Sequence, residues 1–171
     1  VIASYKHDPA LNGLNIVEAA RKMRGADTLD DQIELILDLE KNGSASGVFH
    51  GMNETDLQKF MQHPNTMIAC DSGLREFGKG VPHPRGYGNN ARVLGRYVRE
   101  LKVLRMEDAI RKMTSLPANT FRLKDRGLLK EGFWADITIF DPEKVTDPAA
   151  FNDPHHYATG IPTVLVNGVT V

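Results

Sequence analysis

Thr66-Met67-Ile68-Ala69-Cys70-Asp71-Ser72-Gly73 is the stretch from which the fold of this 171-residue chain is read. Its first five residues form a continuous, largely apolar run without proline. Such a run predicts a strand buried on both faces of a parallel sheet. Asp71 follows it directly, at the strand end where α/β enzymes place their chemistry. A carboxylate there can ligate a metal through oxygen or take a proton from water. It can equally cap a helix or open a turn, helped by Ser72-Gly73.

Beyond Gly73 a long loop is expected to about Asn89; from Asp71 it holds five glycines and two prolines. Loops of that length inside compact domains are usually functional or disordered. The loop carries His83-Pro84-Arg85. Arg85 offers a planar fork for a substrate carboxylate, with a solvated loop arginine as the plainer reading. His83 reads first as a turn residue, with ligand or orienting donor as alternatives. Val93, Leu94, Tyr97, Val98 and Leu101 then predict an amphipathic helix, and Met106, Ala109, Ile110 and Met113 another that closes near Pro117.

On the N-terminal side, Val1–Tyr5 reads as a short strand and Lys6–Gly13 as a polar loop. Leu14, Val17 and Arg21 begin a helical spacing that runs to about Met23. Thr28 can cap the next helix, with Asp30 and Asp31 in its first turn and Leu29, Ile33, Ile36 and Leu37 as its apolar face. Lys41 and Gly43 close that helix. Ala45–Phe49 reads as a strand, and Asn53-Glu54-Thr55-Asp56 starts a helix that ends before Pro64. This alternation up to residue 126 predicts parallel βα units. From Gly127 the texture becomes β-rich, and Asn167-Gly168 between two apolar runs marks a hairpin.

Composition narrows the class. The chain is 41% hydrophobic and 25% charged, with a formal net charge of −1, so neither nucleic acid nor an anionic membrane is an expected partner. No apolar stretch is long enough to span a bilayer. The single cysteine, Cys70, excludes an internal disulfide and a Cys-only zinc site, and fits a reducing, cytoplasmic compartment. Cys70 directly precedes Asp71, so in a strand its side chain points to the opposite side and is expected in the core. None of the six histidines makes His-x-His or a helical metal pair, and His155-His156 reads as surface. Gly78-Lys79-Gly80 lacks the length and hydroxyl of a phosphate loop. A complete (β/α)8 barrel takes about 250 residues, so the expectation is a C-terminal portion of a larger enzyme.

Met67–Gly73, His83-Pro84-Arg85 and Arg92-Val93-Leu94-Gly95-Arg96-Tyr97 together resemble the N-acyl-D-amino-acid deacylases (D-aminoacylases) of the amidohydrolase superfamily. The similarity continues through Ala109–Thr114 and Gly127–Asp141, where Gly132-Phe133-Trp134-Ala135-Asp136 is a superfamily-wide pattern. The resemblance implies the C-terminal part of a zinc-bearing (β/α)8 barrel, α/β in class, in residues 1–126. Residues 127–171 would then be the tail of a small composite β-sandwich domain. It implies hydrolysis of the linear amide of N-acyl-D-amino acids, a carbon–nitrogen bond other than a peptide bond. Asp71 would be a zinc ligand and the catalytic carboxylate that activates water and passes its proton to the leaving amine. Arg85 would bind the substrate α-carboxylate. The other Zn2+ ligands would lie before Val1, with the remainder of the barrel as partner, so this polypeptide alone is expected to be inactive. A cyclic-amide hydrolase of the dihydropyrimidinase or dihydroorotase kind is the alternative enzyme; a ring substrate has less need of Arg85. An inert interaction module is the alternative from another class.

Overall fold

Side-chain caps set where the first helices begin. Asn15 accepts from the Glu18 amide while Glu18 reaches back to the Asn15 amide, starting α1 (Ile16–Arg24). Thr28 and Asp31 form the same reciprocal box before α2 (Leu29–Lys41). Each box satisfies two otherwise orphaned backbone donors, and losing such a cap costs about 1 kcal/mol. Helix α2 ends at Lys41 with Asn42 as its C-cap, and Gly43 follows with a φ of 110°, the left-handed stop expected there.

The computed structural model describes residues 1–171, which form two units. The first contains Val1–Gly51, Ser72–Gly86 and Ala150–His155. Here β1 (Ile2–Ser4) pairs antiparallel with β2 (Ser46–Gly47), Ile2 opposite Gly47. A single 3-10 turn, Pro9–Leu11, follows β1, capped by Asp8. Ile2, Tyr5, Leu11, Ala19, Ala20, Leu35 and Leu39 make the core. The face of α2 named from spacing is therefore corrected: Leu35 and Leu39 are buried, whereas Leu29 is 71% exposed and Ile33, Ile36 and Leu37 are also open. The helix carries apolar residues around more than one face, so periodicity alone does not choose the buried one.

The second unit contains Met52–Asp71, Tyr87–Ala149 and His156–Val171. Its helices are α3 (Glu54–Gln62), capped by Asn53, most of α4 (Arg85–Arg92), a π-helix Val93–Glu100, α5 (Met106–Met113) and α6 (Ser115–Thr120). The core gathers Met61, Ala91, Val93, Leu94, Tyr97, Leu104, Ala109 and Val145. The stretch from Val93 was expected to be an ordinary amphipathic helix. Its bonding is instead of the wider i→i+5 kind, closing with the Leu101 amide on the Arg96 carbonyl at 2.8 Å. Gly95 permits this packing, since a β-carbon there would lie 2.6 Å from the Val145 carbonyl oxygen.

Two further expectations are corrected in this unit. Thr66–Cys70 belongs to no sheet of the chain, and it is half-buried to exposed. Within the run the Ile68 amide donates to the Lys112 carbonyl, on a helix, at 3.1 Å, and the Thr66 amide donates to the His63 carbonyl at 3.1 Å. Both sheets within residues 1–171 are antiparallel, in a chain of alternating helices and strands that is α/β in class. Cys70, expected in the core, is exposed.

The hairpin read at Asn167-Gly168 forms. β3 (Ile137–Ile139), β4 (Thr163–Val166) and β5 (Val169–Thr170) make a three-stranded antiparallel sheet in that order. Asn167 and Gly168 turn β4 into β5 with φ of 53° and 81°, the left-handed pair that a type I′ hairpin requires. No helix is long and apolar enough to cross a membrane.

Candidate active site

Asp71 ends the extended run and is exposed. What holds the run is α5. Lys112, on that helix, is only 2% exposed. Its Nζ donates to the Thr66 carbonyl at 3.1 Å and to the His63 carbonyl, and its own carbonyl accepts the Ile68 amide. Burial pushes the Lys112 ammonium below the ordinary lysine range, and the neighbouring Arg111 charge adds to this. One position further along, Asn89 Nδ2 donates to the Ala69 carbonyl at 3.3 Å. Lys112 and Asn89, both on helices, thus bond the backbone of this segment.

Arg85 opens α4 and is exposed. Its amide donates to His83 Nδ1 at 3.1 Å, and the His83 carbonyl accepts the Gly86 amide at 3.2 Å. His83 therefore acts as the turn residue that its sequence context favoured, starting the helix that carries Arg85. Its ring packs edge-on against Phe151, with centroids 4.9 Å apart, and His50 lies against the same ring at 4.5 Å. His155 bridges the loop by accepting the Gly78 amide at Nδ1 and bonding the Gly80 carbonyl through Nε2.

Among the described residues, no three His, Cys, Asp or Glu side chains converge as a metal site. Asp71 offers one exposed carboxylate, a donor that suits zinc as a single member of a larger ligand set. A surface groove of about 460 Å³ is lined by Gln62, Val98, Val103, Leu104, Arg105 and Met106, and by neither Asp71 nor Arg85.

Sequence reasoning missed three devices. Lys112 carried no signal, because lysine in an amphipathic helix reads as solvated. The pairing of Arg92 with Asp147 at 2.8 Å joins residues far apart in the chain. Asp136, noted only within a pattern, accepts the Asn167 amide at 2.8 Å and pairs with Arg126. These bonds hold its carboxyl below the ordinary aspartate range, with the Asn167 amide as the larger cause.

The amidohydrolase family profile matches residues 73–171, which include Arg85 and begin two positions after Asp71. A D-aminoacylase of Alcaligenes xylosoxydans xylosoxydans is 39% identical over 171 residues, covering 100% of this chain and 33% of the relative. A D-aminoacylase crystal structure superposes with a TM-score of 0.85 and 35% identity, over 100% of this chain and 34% of its own. The N-acyl-D-glutamate deacylase of Bordetella bronchiseptica, complexed with zinc and a phosphonate inhibitor that mimics the tetrahedral intermediate, superposes with a TM-score of 0.75 and 35% identity. That match covers 90% of this chain and 30% of the deacylase. The chain thus spans about a third of the length of the proteins it matches. With over half its residues inside the family profile, the chain belongs to the amidohydrolase family.

Proposed function

We propose that this chain is part of a zinc-dependent hydrolase that cleaves N-acyl-D-amino acids to a carboxylate and a free D-amino acid. The observation that carries this reading is the likeness of the whole chain, without interruption, to a D-aminoacylase. Residues 1–126 are read as the last βα units of a (β/α)8 barrel, and residues 127–171 as part of a small β-rich domain. When bound, zinc supplies Lewis acidity toward an amide carbonyl and toward water.

Asp71 is assigned as one zinc ligand and as the proton-transfer group. As a carboxylate it takes a proton from the attacking water, and as a carboxylic acid it returns that proton to the departing amine nitrogen. The cycle ends with Asp71 ionised again, so no other proton store is required. Arg85 is assigned to the substrate α-carboxylate, through the two parallel N–H donors of its guanidinium. Fixing that carboxylate, together with the acyl group, is what makes a choice between D and L substrates physically possible. A cyclic amide presents less for Arg85 to hold, which supports the linear substrate over the ring.

Two measurements on the complete enzyme test the reading: zinc content, and turnover of an N-acetyl-D-amino acid by wild type and Asp71→Asn. The substitution is expected to lower kcat by about 10²- to 10⁴-fold, with the melting temperature unchanged. A near-normal kcat in Asp71→Asn overturns the assignment.

A further inference from the structure

Gly78-Lys79-Gly80, too short for a phosphate loop, forms a turn whose two glycines have φ of 80° and 65°. Glycine takes such left-handed backbone at no steric cost, and the same freedom makes a turn built on it loose by nature. At Gly80 a β-carbon would also stand 3.0 Å from the Ala3 carbonyl oxygen, so space demands glycine there as well. His155 meets both glycines. The Gly78 amide donates to its Nδ1 at 3.1 Å, and its Nε2 bonds the Gly80 carbonyl at 2.9 Å. The imidazole also lies against the Phe77 ring, with centroids 5.5 Å apart. Phenylalanine or leucine would fill the same space, but only a ring with two separate nitrogens reaches an amide and a carbonyl two residues apart.

What leaves this turn is stiff. The Val81 amide donates to the Ala3 carbonyl of β1 at 2.8 Å. In Val81-Pro82-His83-Pro84-Arg85 each proline fixes its own φ and restricts the residue before it. The Arg85 amide donates to His83 Nδ1, and the His83 ring packs on Phe151, which lies in the same Ala150–His155 segment as His155. A shift of the turn is therefore passed along to Arg85, five positions after Gly80, instead of being absorbed on the way. We propose that His155 is a positioning residue for Arg85, setting the Gly78–Gly80 turn from which the proline-stiffened Val81–Arg85 stretch departs. This rests on the reading of Arg85 as the group that binds the substrate carboxylate. A guanidinium that meets a carboxylate through two parallel N–H donors depends on direction, so the effect of His155 falls on substrates that carry a carboxylate.

The test compares wild type, His155→Phe, His155→Asn, Arg85→Ala and the double variant His155→Phe with Arg85→Ala, all in the complete enzyme. Turnover is measured on an N-acetyl-D-amino acid and on an acyl amide without a carboxylate. Amide hydrogen exchange of a peptide covering residues 77–85 is the readout besides activity. His155→Phe is expected to raise KM for the N-acetyl-D-amino acid by about fivefold or more, with kcat within about twofold. KM for the carboxylate-free amide stays at the wild-type value, and the 77–85 peptide exchanges faster. His155→Asn, which keeps an acceptor where Nδ1 stands, recovers most of both effects. In the Arg85→Ala background His155→Phe adds nothing further to KM. The proposal is overturned if folded His155→Phe keeps wild-type KM, or if KM rises equally for both substrates. If His155→Phe does not fold, His155→Gln, which reaches the Gly80 carbonyl alone, decides by the same readouts. An unchanged KM in Arg85→Ala removes the reading of Arg85 and the proposal with it, whereas exchange in His155→Phe reports the turn by itself.

Discussion

Arg92 Nε donates to Asp147 Oδ2 at 2.8 Å, across 55 positions of sequence, and Arg92 Nη2 reaches the Ala149 carbonyl at 2.7 Å. The Asp147 side chain is 1% exposed, while that of Arg92 is 37% exposed. Asp147 Oδ1 also accepts the Ala149 amide at 3.1 Å. One carboxylate thus fastens the end of α4 to the loop that follows β3.

Removing that carboxylate strands a guanidinium and a backbone amide together. Asp147→Ala is expected to lower the unfolding free energy by about 2–3 kcal/mol, below the range for a wholly buried pair because Arg92 keeps solvent access. Urea unfolding of the purified protein measures it. A midpoint equal to wild type would mean that the pair contributes nothing.

Gly88 lies against the same group, and a β-carbon there falls inside the van der Waals contact of the Asp147 carboxylate. Gly88→Ala is therefore expected to destabilise by about 1–3 kcal/mol through overpacking. The steric cause predicts coupling. Gly88→Ala combined with Asp147→Ala should cost clearly less than the sum of the two, and strict additivity in the cycle would reject the clash.

Asp136 gives the chain an acid-sensitive joint. The Asn167 amide, and then Arg126, hold its folded pKa below the ordinary aspartate value, which is about 3.9. Its contribution to stability is present above that ordinary value and is lost as pH falls through the lower, folded one. Unfolding followed by urea from pH 6 downward should weaken below about pH 4. The weakening should be smaller in Asp136→Asn, and identical slopes in the two proteins would exclude this group as a source.

Arg85 is tested by substrate comparison. Loss of a bidentate charged contact costs about 1.5–3 kcal/mol, so Arg85→Ala should raise KM for N-acyl amino acids by roughly ten- to a hundredfold. Acyl amides without a carboxylate should be spared. An equal rise for both substrate types would place Arg85 outside carboxylate recognition.

The parts of this molecule that were legible in the sequence are those whose physics is local. Thr28 caps α2 through Asp31, three residues on, and Asn167-Gly168 needs nothing beyond its own backbone to turn the hairpin. The spacing of Met106, Ala109 and Met113 sufficed to find α5. The rest depends on distant partners. Thr66–Cys70 has the composition of a strand but meets α5 instead of another strand. Leu29, Ile33, Ile36 and Leu37 are as apolar as Leu35 and Leu39, and only tertiary packing separates them. For the site, Asp71 and Arg85 could be nominated as candidates, and His83 was rightly read as a turn. Lys112, which ties the Asp71 segment, was invisible, because a buried lysine is recognised by the carbonyls around it and not by its neighbours in sequence.

The π-helix from Val93 to Glu100 ties this stretch to a fixed residue count. Removing one residue from it would rotate every later side chain about the axis relative to the turns before it. Deletion at Arg96, for example, would carry Arg99 off the Val145 carbonyl, which it meets at 2.7 Å, and would carry the Tyr97 hydroxyl off Glu54, 3.3 Å away. Substitutions on its outer side leave that phase untouched, whereas a shortened version would have to rebuild the core around Leu104 and Val145. Length, more than the identity of its outward residues, is what descent must preserve here.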